Sequence, residues 1–409
     1  MRALRKLNIF VFIVICCFNC FIYSGCSSKG SNYNFDIPET SEEAFAYQII
    51  DDEVYIIGLT QFGKDLKDIH IPAQIEGKNV VGLRNTENLS QPDLFDFSYK
   101  DKSSFSCKVN TIILPSTIRT ISQYFFTKTT ANAIKINGEL QVVPSYAFRK
   151  ANIKEVFISE GVVEIGEGAF AISSVERVFF PQSLKTIQNN AFINCDELKH
   201  VNFSEGLETI GRSAFQGCTE IQKLQFPNSL KHIGAFSFCP HTAHESMDIE
   251  TITFGEKLES IGESAFSSCE KLRTVELKNV KTIESGAFYY CLKLNKVIIG
   301  ENIEFIHKRA FNDCRGVNIY CYAKNPPCEN LLGVRTYYVL EKNYKNWVNS
   351  GQINSADVKT FDPETTNFNA KSDSSLSPIG WVLMIFGIGT LLAIIDIVIK
   401  KYVSKANKF

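Results

Sequence analysis

A short segment near the middle of the chain carries side chains of the types that bind metal ions. Cys239, His241, His244, Glu245 and Asp248 follow one another within ten residues. Thiolate, imidazole and carboxylate groups are the usual zinc ligands of proteins. The spacing matches no common zinc site, and polar residues of a loop are usually only solvated. A metal-dependent activity at this loop is therefore the least favoured of the three functions considered below. No residue is assigned as a metal ligand.

The sequence carries no other signature of catalysis. It contains neither a phosphate-binding loop of the GxxxxGK[ST] type nor a GxSxG nucleophile elbow. The formal net charge is -1, so the chain as a whole has no basic excess for binding nucleic acid. We therefore predict a protein that is not an enzyme, has no catalytic residues, uses no cofactor and binds no nucleic acid.

An Ala-Phe pair, or a close variant of it, recurs along the chain and requires a repeated structural unit to position it. A branched aliphatic residue precedes each phenylalanine by five positions, and a cysteine often follows by three. The steps between the phenylalanines are 22, 22, 22, 23, 23, 28, 22 and 23 residues. Units of this length stack into a solenoid, because a single unit cannot bury its apolar side alone. The phenylalanines are Phe126, Phe148, Phe170, Phe192, Phe215, Phe238, Phe266, Phe288 and Phe311.

One unit, residues 195–215, illustrates the expected local structure. Val201 and Phe203 alternate with outward residues, which is the pattern of a short half-buried strand. Ala214 and Phe215 are expected to form a short helical turn whose ring fills the interior. The recurrent cysteines face inward, where a thiol behaves as a small hydrophobe. Disulfides between neighbouring units, or within the group Cys314, Cys321 and Cys328, remain an alternative in an oxidising compartment.

The repeat pattern IGxxAFxxCxxLxxVxFP, seen in residues 210–227, resembles the BspA-type leucine-rich repeats of bacterial and protozoan surface proteins. The resemblance covers roughly residues 68 to 360. It implies an α/β leucine-rich-repeat solenoid, a horseshoe of 22–23-residue units dominated by β-structure, with atypical first and last units as caps. It also implies a role in adhesion or host contact. Two insertions, at 91–106 and 240–248, depart from the family pattern.

The two ends of the chain have the composition of membrane-directed segments. A basic start and an apolar run resemble a secretory signal, and Ser-Gly-Cys at its end resembles a lipoprotein cleavage site that would lipidate Cys26. The C-terminal run of 21 apolar residues would span about 31 Å as a helix, which matches a bilayer core. Lysines follow this run, so the repeats are expected outside the cytoplasm, at the cell surface. An ordinary or uncleaved signal is the alternative for Cys26.

The predicted organisation follows from these features. The segments are a signal peptide at 1–26, an N-terminal segment at 27–67, the repeats with their capping unit at 68–322, a C-terminal cap at 323–361, a polar stalk at 362–378, a transmembrane helix at 379–399 and a cytoplasmic tail at 400–409.

Outward positions of the predicted strands are the candidates for binding. Stacking places them in two parallel columns, and solenoids use such faces for recognition. Phe157 and Phe179 would be adjacent exposed aromatic rings, which are common anchors at interfaces. The alternative is that the inserted segment packs over them. The candidate binding residues are Phe157, Arg177, Phe179, His200, Lys223 and Gln225.

Three functions from different classes fit the sequence. The first is a membrane-anchored surface protein that binds a protein or glycan partner. The second is a structural or envelope-assembly scaffold whose partner is in the same cell. The third is the metal-dependent activity at the inserted loop.

Overall fold

A computed structural model describes Tyr33, residues 35–85, 105–242, 244–364 and Thr366. The chain divides into two units, Met1–Thr360 and Phe361–Phe409, and the repeats belong to the first. The predicted signal peptide with Cys26, most of the stalk, the transmembrane helix and the tail lie outside the described residues. Among the helices of the described ranges, none has the length and apolarity that crossing a membrane requires.

The described chain is built mainly of short strands. The helices are α1 (Gln61–Lys64) and α2 (Tyr344–Asn349), with 3-10 turns at Glu42–Ala44, Glu341–Asn343 and Ser355–Asp357. The strands are β1 (Phe45–Ile50), β2 (Glu53–Leu59), β3 (Asp68–His70), β4 (Gln74–Ile75), β5 (Lys78–Leu83), β6 (Lys108–Ile113), β7 (Thr120–Ile121), β8 (Thr130–Ile136), β9 (Val142–Val143), β10 (Asn152–Ile158), β11 (Glu164–Ile165), β12 (Arg177–Phe179), β13 (Thr186–Ile187), β14 (His200–Asn202), β15 (Thr209–Ile210), β16 (Lys223–Gln225), β17 (His232–Ile233), β18 (Thr251–Thr253), β19 (Ser260–Ile261), β20 (Thr274–Leu277), β21 (Thr282–Ile283), β22 (Lys296–Ile299), β23 (Phe305–Ile306), β24 (Val317–Cys321), β25 (Val334–Leu340) and β26 (Val358–Phe361).

Each repeat contributes one strand to each of two parallel arrays. The first array is hydrogen-bonded in three parts, in the orders β14-β12-β10-β8-β6-β3, β16-β18 and β20-β22-β24-β25-β26. The second array is one eight-stranded sheet, β23-β21-β19-β17-β15-β13-β11-β9. Equivalent residues of successive repeats are in register, as in Val156 opposite Val178 and Val178 opposite Val201. The predicted solenoid of stacked β-units is therefore confirmed.

Stacked phenylalanines fill the space between the two arrays. Phe215 is fully buried, and its ring lies 5.1 Å from both Phe192 and Phe238, nearly parallel to each. The same stacking runs from Phe126 to Phe311, and we call these nine rings the phenylalanine stack. Because every ring contacts the rings of its neighbours, burial in one repeat depends on the repeats on both sides.

The expected helical turn at Ala214 and Phe215 is wrong. The backbone there forms successive turns, with φ of 53° at Ser213 and 79° at Gly217. These left-handed residues interrupt a right-handed helix. The Phe215 amide instead donates to the Ser237 carbonyl of the next repeat at 2.9 Å. The turn segments are thus hydrogen-bonded to the next repeat. The expected α/β class is therefore corrected: in the described chain the α-helices are α1 and α2, both short.

A tryptophan closes the C-terminal end of the repeats. Trp347 on α2 is fully buried, and its indole nitrogen donates to the Ala323 carbonyl at 3.1 Å. The Asn343 side chain donates to the same carbonyl at 3.1 Å. The Tyr337 hydroxyl accepts from the Leu331 amide at 2.8 Å. No further repeat follows in the described chain to bond these backbone groups, and the contacts above bond them instead. This segment therefore acts as the C-terminal cap.

Candidate functional site

The outward side of the first array carries all six predicted binding residues, and we call it the strand face. Register places Arg177 of β12 beside His200 of β14, and Phe157 of β10 beside Phe179. Lys223 and Gln225 lie on β16, which pairs with β18 and is not part of the β10-β12-β14 sheet. The structure therefore brings four of the six residues onto adjacent paired strands and leaves two on the next pair of strands.

The two aromatic residues of the strand face form a stacked pair. The ring centroids of Phe157 and Phe179 are 4.4 Å apart with an 8° angle between the planes. Both side chains are half-exposed, so the rings are less exposed than the first of the two expectations has them. Most of the inserted segment named in the alternative lies outside the described residues. Phe35 packs edge-on against Phe157 at 4.9 Å, and Tyr33 lies 6.5 Å from the same ring. The cover thus comes, within the described chain, from the segment before the repeats.

Tyr33 and Phe35 are the residues of this surface that the sequence interpretation missed. They lie in a polar segment ahead of the first repeat and match no column of the repeat. Two aromatic residues in such a polar segment were the available signal, because an aromatic side chain is stabilised when a neighbouring surface buries it.

A charged pair lies beside the aromatic pair. The Arg177 guanidinium is 3.4 Å from a Glu155 carboxylate oxygen. The other oxygen of Glu155 is buried and has no hydrogen-bond partner among the described residues. Burial raises the pKa of the Glu155 carboxyl, although Arg177 acts in the opposite direction. Burial, followed by the charge of Arg177, lowers the pKa of His200, so at neutral pH its imidazole is an uncharged donor and acceptor.

The central part of the strand face presents polar groups that the chain itself does not use. His200, Asn202, Lys223 and Gln225 are exposed. Their side chains have no hydrogen-bond or ion-pair partner within the residues that the structure describes. Because such groups sit on paired strands at the repeat spacing, binding to another molecule would have to order their side chains but not the backbone that carries them.

The second array has the opposite character. Lysine and glutamate alternate from repeat to repeat, and Glu208 lies 2.6 Å from Lys231 and 3.9 Å from Lys185. Lys281 lies 3.1 Å from Glu259. Exposed pairs of this kind contribute about 0–1 kcal/mol each. We call this row the ion ladder. Its charged side chains already pair with one another, so the ion ladder has fewer unpaired polar groups for a partner to bind than the strand face has.

The inserted loop does not assemble the predicted metal-ligand types. Asp248 is ion-paired with Lys271 at 2.7 Å, and Cys239 is buried. Across the described ranges, no three His, Cys, Asp or Glu side chains lie close enough together to hold a metal ion. The position of the loop in the fold therefore gives the metal hypothesis no support.

The recurrent cysteines are buried free thiols that bond to the repeat next to them. The nine cysteines of the described residues are all unpaired. The Cys195 sulfur donates to the Phe170 carbonyl at 3.0 Å, and the Cys218 sulfur donates to the Phe192 carbonyl at 3.1 Å. Burial raises the pKa of the Cys218 thiol well above its ordinary value. These thiols therefore act as small core residues that also link neighbouring repeats.

Repeats of this length, with one strand in each of two arrays and an inward phenylalanine stack, define a leucine-rich-repeat solenoid. Six copies of the family model described as "BspA type Leucine rich repeat region" match residues 32–141, 97–216 and 185–318. These ranges together span residues 32–318, well over half of the 409-residue chain. The chain therefore belongs to the BspA-type leucine-rich-repeat family. No curated protein matches the sequence.

Several solved structures are similar to the chain at low identity. A leucine-rich repeat protein of T. pallidum is 20% identical, with 66% of this chain and 88% of that chain covered and a TM-score of 0.30. One from Bacteroides ovatus is 18% identical, with coverage of 81% and 100% and a TM-score of 0.42. The pneumococcal vaccine antigen PcpA is 16% identical, with coverage of 80% and 98% and a TM-score of 0.33. All three TM-scores are below 0.5, so the family match alone carries the assignment.

Proposed function

We propose that this protein is a membrane-anchored surface protein whose strand face binds a protein or glycan partner. The observation that carries the proposal is the exposed polar strip of His200, Asn202, Lys223 and Gln225, whose side chains lack partners in the described chain. The ion ladder supports it by contrast, because its charges are already compensated. The resemblance to BspA-type surface proteins supports a role in adhesion or host contact, although fold alone does not fix function.

The membrane part of the proposal comes from the sequence. The apolar run at 379–399, followed by Lys400 and Lys401, supports an anchor with the repeats outside the cytoplasm. Cys26 is a second candidate anchor through lipidation. Protease treatment of intact cells tests the orientation: loss of the repeats supports display at the surface. Full protection would instead favour the scaffold with a partner in the same cell.

Replacing both Phe157 and Phe179 with alanine is expected to weaken partner binding and to leave the fold intact. Aromatic anchors at the centre of an interface contribute about 2 kcal/mol or more each, which corresponds to a loss of about 25-fold in affinity or more for each ring removed. Both rings lie outside the phenylalanine stack and are half-exposed, so the thermal transition should change little. The measurement is the dissociation constant of the partner, with full-length protein immobilised.

The matched control is Lys231→Ala with Lys281→Ala, two changes in the ion ladder. Each removes an exposed pair and should alter stability by less than about 1 kcal/mol without altering the affinity for the partner. Unchanged binding by the double phenylalanine variant would remove Phe157 and Phe179 from the binding site.

A further inference from the structure

A pocket of about 250 Å³ opens at the N-terminal end of the repeats, away from the strand face. It is formed by three strands that pair in parallel, β2 with β5 and β5 with β7. The residues that line it lie on these strands or directly after them, and they are Tyr55, Leu83, Arg84, Thr120, Ile121 and Ser122. The strand pairing therefore sets the spacing of the side chains around the pocket.

Gly82 makes room for the aromatic wall of this pocket. Register places Gly82 between Tyr55 and Thr120. A Cβ atom at Gly82 would lie 2.5 Å from Cδ1 of Tyr55 and 2.8 Å from the Thr120 hydroxyl oxygen. The Tyr55 ring and the Thr120 side chain thus occupy the space that a side chain at position 82 would fill.

Arg84 supplies the positive charge of the pocket. Its guanidinium carbon lies 5.9 Å from the centre of the Tyr55 ring, within the range of a cation–π contact. The side chain is exposed and has no ion-pair partner among the described residues. The carboxylate of Glu53 accepts instead from Arg119 and, at 3.3 Å, from the Tyr55 hydroxyl. The Arg84 guanidinium is therefore available to pair with an anion.

Two hydroxyl groups complete the polar lining. Thr120 is exposed, and its hydroxyl has no hydrogen-bond partner within the described chain. The Ser122 hydroxyl oxygen accepts from the Asn85 amide at 3.4 Å, which leaves its proton to donate elsewhere. Each hydroxyl can both donate and accept, so the pair suits a ligand that itself carries hydroxyl groups.

We propose that this pocket binds a small sugar acid, either free or as the terminal unit of a glycan. A guanidinium holds a carboxylate through two parallel hydrogen bonds. Thr120 and Ser122 bond to the sugar hydroxyls, and the Tyr55 ring gives the carbon skeleton an apolar wall. The volume is below the range of about 300–1,000 Å³ that is usual for ligand pockets, which favours one sugar unit over a longer chain.

This pocket shares no residue with the strand face. The inference therefore goes beyond the proposed function, and either one can fail while the other holds.

Ligand-observed NMR titration of the full-length protein in detergent tests the proposal with glucuronate and glucose. We expect glucose, which lacks the carboxylate, to bind about tenfold more weakly than glucuronate or worse. Arg84→Gln should weaken the binding of glucuronate by the same factor. The matched control is Lys78→Gln, which removes a cation of β5 that pairs with Asp52 at 3.1 Å and does not line the pocket. This control should leave the affinity for glucuronate unchanged.

Equal thermal transitions for the two variants and the unmodified chain confirm that all three are folded. Absence of glucuronate binding would overturn the proposal, as would equal binding of glucose. Unchanged affinity after Arg84→Gln, or equal weakening by Arg84→Gln and Lys78→Gln, would overturn it as well. The methyl glycoside of glucuronate separates the two sources: binding of both forms supports the end of a glycan, and binding of glucuronate alone supports the free sugar acid.

Discussion

Phe215→Ala is expected to lower the free energy of unfolding by about 3–5 kcal/mol, the usual cost of truncating a fully buried phenylalanine. Phe215 contacts Phe192 and Phe238 at 5.1 Å each and meets Phe203 edge-on at 5.7 Å. Its removal leaves a cavity at the middle of the phenylalanine stack. Because repeats are stabilised by their neighbours, the loss should uncouple the repeats on the two sides. Chemical denaturation followed by circular dichroism measures the change.

The expected signature is a broadened or two-step denaturation curve, since two shorter stacks then unfold separately. Phe215→Leu is the control, because leucine keeps most of the buried volume and should cost about 1.5 kcal/mol or less. A single sharp transition for Phe215→Ala, shifted by under about 1 kcal/mol, would contradict the role assigned to the stack.

Trp347→Ala is expected to cost a similar amount, about 3–5 kcal/mol, at one end of the repeats. The variant loses the fully buried indole and its 3.1 Å hydrogen bond to the Ala323 carbonyl. It also loses the contact with Tyr337, whose ring lies 6.0 Å away. The last repeats should therefore exchange their amide hydrogens faster while the central repeats keep their protection. Hydrogen exchange with mass spectrometry measures this difference.

The control for the cap is Trp347→Phe, which keeps an aromatic ring and loses the hydrogen bond, at a cost of about 1–2 kcal/mol. Faster exchange spread evenly over all repeats would show that Trp347 stabilises the whole chain and is not specifically a cap residue.

Most of the fold is predictable from the sequence because each repeat meets the same packing demand. The column of branched aliphatic residues that includes Ile187 and Ile210 is buried in the second array, as its spacing predicts. The turn at Ser213 was not predicted, because its left-handed φ and its hydrogen bonds to the next repeat leave no clear pattern in residue type. Residue propensities describe the local structure of a single repeat, whereas these hydrogen bonds form between neighbouring repeats.

The candidate site was predictable only in part. Strand alternation places Arg177 and Phe179 outward, and the structure confirms that they share one face of β12. Cover on Phe157 was considered, but the residues that provide it were missed, because Tyr33 and Phe35 are separated from Phe157 by more than a hundred residues and belong to no repeat. The ion ladder was missed as well, because its lysines and glutamates alternate between repeats and not within one.

The strand face as the site of binding is tested most directly by photo-crosslinking from two positions in intact cells that make the full-length protein. A photoreactive residue replaces Gln225, on β16 of the strand face, in one variant and Lys281, directly before β21 in the ion ladder, in the other. We expect a discrete cross-linked product, from a protein or a glycan, at position 225 and none at position 281. A product from position 281 alone, or equal products from both, would contradict it.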